Sequence, residues 1–122
     1  LWKGEYHKYL IDGAQQAAFT GVPDVEFYKD LADFFRINSD MDTGMIKILL
    51  DNIEPDVKLS EYNPGKSNCI ISIGSERGWS ERERKLFKKH GFVSAGLGRR
   101  VLRTETASTA GITLLLAKMG LL

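Results

Sequence analysis

The sequence predicts an α/β domain with a mostly parallel sheet flanked by helices, and three observations carry that expectation. Two short runs, Met45 to Leu50 (MIKILL) and Cys69 to Ile73 (CIISI), are apolar at nearly every position, as strands buried on both faces are. Segments of helical periodicity stand before and after them, so helices and strands share the chain as in α/β domains. Glycine-bearing loops, Gly74–Gly78 and Gly96–Gly98, lie at the carboxyl ends of the second run and of a third strand, where open α/β sheets bind their ligands.

The elements follow in order. Tyr6, Leu10, Gly13 or Ala14, and Ala17 or Ala18 recur at helical spacing, which predicts a core-facing helix from about Lys3 to Phe19. Gly21-Val22-Pro23 stops it. Val25–Phe27 fits a short strand, and Tyr28–Arg36 a second helix with Leu31, Phe34 and Phe35 inward. A polar turn over Asn38–Gly44 leads into MIKILL. Asn52–Ser67, with Pro55, Pro64 and Gly65, is the longest irregular stretch, a linker or a loop that moves. After CIISI and its glycines, Ser80 and Glu83 form a capping box that opens a helix through about His90, with Leu86 and Phe87 inside. Phe92–Leu97 is a third strand. The last helix runs from Arg103 or Thr104 to Met119. Ala107, Ala110, Gly111, Ile112, Leu114, Leu115, Leu116 and Met119 leave it little polar face, so it is expected to be buried on two sides. In so small a domain its second side is expected to meet another copy of the chain, forming a homodimer.

A length of 122 residues fits one domain spanning residues 1–122. With 43% hydrophobic and 27% charged residues, a disordered chain is excluded. The single cysteine, Cys69, excludes an intrachain disulfide framework and a cysteine-rich zinc site. No apolar run approaches the roughly 18 residues of a membrane span, because Lys118 interrupts the last one, and there is no signal-peptide pattern. A cytoplasmic protein without membrane attachment is expected. The chain opens at Leu1 with a helix in progress, so a domain truncated on its N-terminal side is expected too.

The formal net charge of +1 hides an asymmetry. Residues 1–75 carry 7 Lys and Arg against 12 Asp and Glu, a net of −5, and residues 76–122 carry 10 against 4, a net of +6. The excess sits in Arg77, Arg82, Arg84, Lys85, Lys88, Lys89, Arg99, Arg100 and Arg103. A basic half on a near-neutral chain suits a polyanion such as RNA. A solvated helix face accounts for the charge equally well.

Two stretches carry chemistry. Ile73 to Glu83 reads I-G-S-E-R-G-W-S-E-R-E, a strand, a glycine loop and a capped helix. Glycines let backbone amides approach a ligand closely, and a helix start offers unpaired N–H donors. The spacing is neither a dinucleotide fingerprint nor a P-loop, and an ordinary βα turn would look the same. Leu97 to Ala107 reads L-G-R-R-V-L-R-T-E-T-A.

Together these stretches resemble the two signature loops of the SPOUT-class methyltransferases that modify small-subunit ribosomal RNA at a uridine N3. That family's loops read approximately I-G-P-E-G-G-[aromatic/L]-[S/T]-x-x-E and L-G-x-R-[I/V]-L-R-x-E-T-A. The second matches from Leu97 to Ala107 at every defined position. The first matches at Ile73, Gly74, Glu76, Gly78, Trp79, Ser80 and Glu83, and the distance between the loops fits. The resemblance covers about residues 3–122, weakly before Met45 and well after Asn68. Ser75 stands where the family has proline and Arg77 where it has its middle glycine. Upstream, where the family shows E-Q-S-x-R before a Val-Pro, the chain reads Gln15-Gln16-Ala17-Ala18-Phe19 and then Val22-Pro23. This is a divergent member.

The resemblance implies a C-terminal deep trefoil knot, which ordinary connection rules would argue against. It also implies S-adenosylmethionine bound among the knotted loops, a homodimer through the last helix and knot, and ribosomal RNA as substrate. The family usually carries an N-terminal RNA-binding barrel domain, which is expected to lie outside these 122 residues. On that reading the cofactor meets Leu50, Asp51, Gly74, Ser75, Glu76, Gly78, Leu97, Gly98, Val101, Leu102 and Thr104, largely through backbone. Arg103 is the candidate catalytic residue, since a cation beside the uridine O2 or O4 would stabilise the anion left when N3 loses its proton. Its bland alternative is pairing with Glu105 or capping a neighbouring loop. Asp51, Glu76 and Glu105 are the candidate bases, with solvent as the alternative. Arg77, Arg82, Lys85, Arg99 and Arg100, with Arg84, Lys88 and Lys89, form the expected RNA face. Trp79 either stacks on a base or anchors the capped helix. His7 and His90 do not form a metal pair, His90 reads as structural, and Cys69 reads as inert core. Two other functions stay open: a catalytically inactive knotted module for RNA binding or dimerisation, and an unrelated α/β nucleotide binder.

Overall fold

The computed structural model describes residues 23–40, 44–53, 55–65, 68–75, 77–98 and 104–122. Helix α1 (Leu31–Ile37) precedes strand β1 (Ile46–Leu50), strand β2 (Val57–Lys58) and a single 3-10 turn at Leu59–Glu61. Strand β3 (Cys69–Ser72), helix α2 (Glu81–Lys89), strand β4 (Val93–Gly96) and helix α3 (Thr104–Lys118) complete the order. The four strands make one sheet in the order β2-β4-β1-β3, and every neighbouring pair is parallel.

The apolar runs become the strands expected of them. β1 is central, with Ile46 opposite Cys69 on one side and Ile48 opposite Val93 on the other. Its alternation feeds both faces. Leu49 joins Phe35, Phe87 and Phe92 beneath α1 and α2, while Ile48 joins Leu59, Ala95 and Leu115 beneath α3. A strand covered on both faces has no polar side to show, which is why MIKILL reads as a nearly continuous apolar run. Under α1 and α2 the rings of Phe35, Phe87 and Phe92 meet edge to face with centroids 4.9, 5.5 and 5.8 Å apart. Each such pair adds roughly 0.5–1.5 kcal/mol beyond its buried area.

Local chemistry sets the helix starts. Ser80 Oγ accepts from the Glu83 amide and Glu83 returns the bond to the Ser80 amide, so the expected capping box opens α2. Asp30 caps α1 in the same way, its carboxylate accepting from the Asp33 amide at 2.8 Å. That cap starts α1 at Leu31 instead of Tyr28. Gly111 lets α3 lie close on β1, since a Cβ there would stand 2.6 Å from Leu50 Cδ1.

Two expectations are corrected. Val25–Phe27 is not a strand of the sheet, and Phe27 is 51% exposed, so no burial offsets the ordering of a strand there. Val57–Lys58, inside the stretch read as irregular, adds a strand instead, with Val57 opposite Ala95 and Lys58 opposite Gly96. Two residues are too few to display a period. The helix expected over Lys3–Phe19 lies outside the described residues. Among the described residues, no helix is long and apolar enough to cross a membrane.

Candidate functional site

Because the sheet is parallel, β1, β3 and β4 all deliver their carboxyl ends to one side of it. Leu50-Asp51, Gly74-Ser75 and Leu97-Gly98 therefore gather at one edge, as the glycine positions predicted. Cross-links between the loops set their spacing. Asn52 Oδ1 accepts from the Leu97 amide at 3.0 Å, and the Asp51 amide donates to the Ala95 carbonyl at 3.0 Å.

The glycines there divide into two kinds. Gly74 and Gly96 make room for the protein itself. A Cβ on Gly74 would stand 3.1 Å from Trp79 Cε2, and one on Gly96 would stand 2.9 Å from Pro55 Cγ. Gly78 and Gly98 differ, with φ of +73° and +116° and no described atom within 4 Å of where a Cβ would stand. Those conformations favour glycine, and the open space is the kind a ligand's approach to backbone requires. The Gly78 amide donates to the Ser75 carbonyl at 2.8 Å, so the turn closes with serine where the resembling family carries proline. Ser75, Arg77 and Gly78 are all exposed.

Behind this edge two polar contacts pin the start of α2. Trp79 Nε1 donates to the Leu50 carbonyl at 3.1 Å, and its ring meets Phe87 edge to face at 4.8 Å. Trp79 therefore anchors the helix, the second of its two expected roles. Arg84 donates to Asp51 through Nε (2.5 Å to Oδ2) and Nη2 (3.3 Å to Oδ1). Asp51 Oδ1 also accepts from the Ile53 amide at 3.2 Å. The Asp51 side chain is 5% exposed and that of Arg84 23%. The bond to Asp51 holds the Arg84 guanidinium pKa above its ordinary value, against the opposing effect of desolvation.

These contacts revise several sequence expectations. Arg84 leaves the basic face, since its charge is turned inward to Asp51. Both Asp51 oxygens already accept hydrogen bonds, from Arg84 and the Ile53 amide, so the side chain is turned into the protein and away from a substrate. The Leu50 carbonyl, part of a residue expected to meet the cofactor, accepts a hydrogen bond from the Trp79 indole. Arg82 and Lys85 are exposed on α2, together with Lys88 and Lys89. Leu97 is half-buried beside exposed Gly98, and Thr104 opens α3. Glu76, Arg99, Arg100, Val101, Leu102 and Arg103 lie outside the described residues, as does the side chain of Glu105.

The remaining candidates are structural. His90 caps the carboxyl end of α2 through its backbone amide, and its ring stacks on Phe35 at 4.0 Å. Its carbonyl accepts from Lys47 Nζ at 3.1 Å. Burial pushes the Cys69 thiol pKa up. Sequence reasoning missed Asn52 and Pro55, whose roles depend on which loops the topology brings together. Among the described residues, no three of His, Cys, Asp and Glu gather as metal ligands do. The edge offers open backbone at Gly78 and at Gly98, the latter next to half-buried, apolar Leu97.

Comparison with known proteins agrees with this geometry. A family model described as an RNA methyltransferase domain matches residues 3–116. A ribosomal RNA small subunit methyltransferase E of Treponema pallidum is 37% identical over 113 residues, 91% of this chain and 42% of that protein. A second, from Borreliella burgdorferi, is 32% identical over 114 residues, 92% of this chain and 46% of that protein. The chain thus spans less than half the length of these relatives. A Legionella pneumophila structure solved with bound SAM superposes with a TM-score of 0.79 at 27% identity, covering 93% of this chain and 45% of that one. A SAM-bound Neisseria gonorrhoeae ribosomal RNA small subunit methyltransferase E shares the fold, with a TM-score of 0.79 at 24% identity over 95% of this chain and 47% of that one.

Proposed function

Since the chain belongs to the RNA methyltransferase domain family, we propose that it binds S-adenosylmethionine and serves methyl transfer to small-subunit ribosomal RNA, at N3 of a uridine. The observation that carries this reading is the pair of open, positive-φ glycines, Gly78 and Gly98, at the carboxyl ends of parallel strands. It is supported by the match to the family and by the cofactor named in the Legionella pneumophila structure.

When bound, the cofactor supplies an electrophilic methyl group on a sulfonium. The chain's own contribution is placement. In this reading the backbone of Ser75, Gly78, Leu97 and Gly98 grips the ligand from two loops, joined by Glu76, Val101, Leu102 and Thr104. Asn52 and Trp79 keep those loops at their spacing. Orienting two reactants is worth roughly 7–11 kcal/mol of barrier. Arg103 is assigned to the uridine O2 or O4, where a fixed cation stabilises the anion formed as the N3 proton leaves. With Asp51 committed to Arg84, the proton is left to Glu76, Glu105 or solvent.

The wider reading includes a C-terminal trefoil knot, a homodimer through α3, and a working place in the cytoplasm, where its substrate would be met. Ile112, 44% exposed on α3, suits such an interface. RNA is assigned to the exposed cations of α2 with Arg77, Arg99 and Arg100. Calorimetric titration with S-adenosylmethionine and S-adenosylhomocysteine tests the core of the proposal. Micromolar binding of both is expected. A folded chain that binds neither overturns it and favours an inactive scaffold.

A further inference from the structure

We propose that Arg84 and Trp79 form a two-point clasp that positions the Gly74–Gly78 loop, and that Arg84 acts on cofactor affinity through it without touching the cofactor. This inference rests on the function proposed above. The two residues bracket the start of α2 and grip consecutive residues at the end of β1: Trp79 holds the Leu50 carbonyl, and Arg84 holds the Asp51 carboxylate. Trp79 also covers Gly74, whose missing side chain leaves room for the indole. The loop is therefore held at its first residue by the Trp79 ring and at its far end by the chain entering α2.

Arg84 and Asp51 form an ion pair whose carboxylate is buried and whose guanidinium is partly exposed. Desolvation offsets most of its Coulombic gain, so two apolar side chains of similar size would stabilise the fold about as well. What they would not supply is direction. The guanidinium fork offers Nε and Nη2 to the two Asp51 oxygens, which fixes the rotation of the helix start as well as its distance. The Ile53 amide on Oδ1 keeps the carboxylate from turning. Arg84 is also set apart within its helix: Arg82, Lys85, Lys88 and Lys89 are exposed, whereas Arg84 is turned inward to an acid among the described residues.

The test compares wild type, Arg84→Met, Arg84→Lys and the apolar pair Asp51→Leu/Arg84→Met. Affinity for S-adenosylmethionine is read by calorimetry, thermal stability by melting, and the Trp79 indole Nε1–H by NMR, assigned with Trp79→Phe. Arg84→Met is expected to weaken affinity about tenfold and to shift the indole resonance and speed its exchange. Arg84→Lys should recover part of both. The apolar pair should regain thermal stability while affinity stays about tenfold down. Affinity that recovers in step with stability, or an indole resonance unmoved in Arg84→Met, overturns the clasp. A wild type that binds no cofactor overturns the function instead, and the indole resonance still decides whether Arg84 holds the loop.

Discussion

Asn52 Oδ1 accepts a hydrogen bond from the Leu97 amide at 3.0 Å, across a sequence separation of 45 residues. One side chain behind β1 thereby sets where the chain goes after β4. Replacing Asn52 with alanine returns the Leu97 amide to water, so the stability cost is modest, about 1 kcal/mol. The local effect is larger. Hydrogen exchange at Leu97 is expected to accelerate while exchange in β1 and β3 is unchanged, and an unaltered Leu97 rate would show that the bond does not hold the loop.

Gly96 and Gly98 should respond differently to the same substitution. A Cβ on Gly96 would meet Pro55 Cγ at 2.9 Å and Asn52 Oδ1 at 3.3 Å, and a pyrrolidine ring has little freedom to yield. Gly96→Ala is expected to cost roughly 1–3 kcal/mol by overpacking. Gly98→Ala meets no such wall but carries φ of +116°, so its cost is backbone strain of about 1–3 kcal/mol. The cofactor separates the two: Gly98→Ala should lose affinity, whereas Gly96→Ala should lose melting temperature first. Equal effects on affinity would contradict the division of the glycines.

The parts of this fold legible in the sequence are those determined by short-range pattern. MIKILL and CIISI announce doubly covered strands because each strand's own side chains must fill both faces. Ser80 and Glu83 announce a helix start because both partners of the capping box lie within four residues. Val57–Lys58 was illegible because its pairing with Ala95 and Gly96 is set by the topology. At the site, the strand-end glycines were legible as a group but their two uses were not. Whether a glycine admits a ligand or another part of the protein depends on how the loops fold back: Gly74 meets Trp79 only through the turn between them, and Gly96 meets Pro55 from a different loop. Arg84 illustrates the same limit: nothing local separates it from Arg82 or Lys85, and only Asp51, 33 residues away, turns it inward.

Phe35 is the joint between α1 and the rest of the domain. It is 3% exposed, meets Phe87 and Phe92 edge to face, and stacks on the His90 ring. Phe35→Ala should cost about 3–5 kcal/mol in urea unfolding. Loss of less than about 1 kcal/mol would mean that α1 packs without it.

The Cys69 thiol, raised in pKa by burial, gives the protein a defined alkaline response. A group whose folded pKa lies above its unfolded value favours folding fully while both states are protonated. That contribution is present below the unfolded value, about 8.5, and is lost as pH rises through the folded one. Urea midpoints should therefore fall above about pH 9, and Cys69→Val should remove part of that fall. Native Cys69 should also alkylate slowly at pH 8 and quickly once unfolded. Fast alkylation of the native chain would rule out the protected thiol.

The basic face of α2 is the last feature open to measurement. Arg82, Lys85, Lys88 and Lys89 are exposed, while Arg84 is paired with Asp51. If the four meet RNA phosphates, each neutralised phosphate contributes about 0.7 to the slope of log affinity against log salt for a single strand. Lys85→Gln/Lys88→Gln should then lower that slope by about 1.4, with the loss largest at low salt. The capping box and Phe87 are untouched by these changes, so helix content by circular dichroism should match wild type. A double variant with unchanged slope would show that α2 presents a solvated face and that phosphate contacts lie elsewhere on the chain.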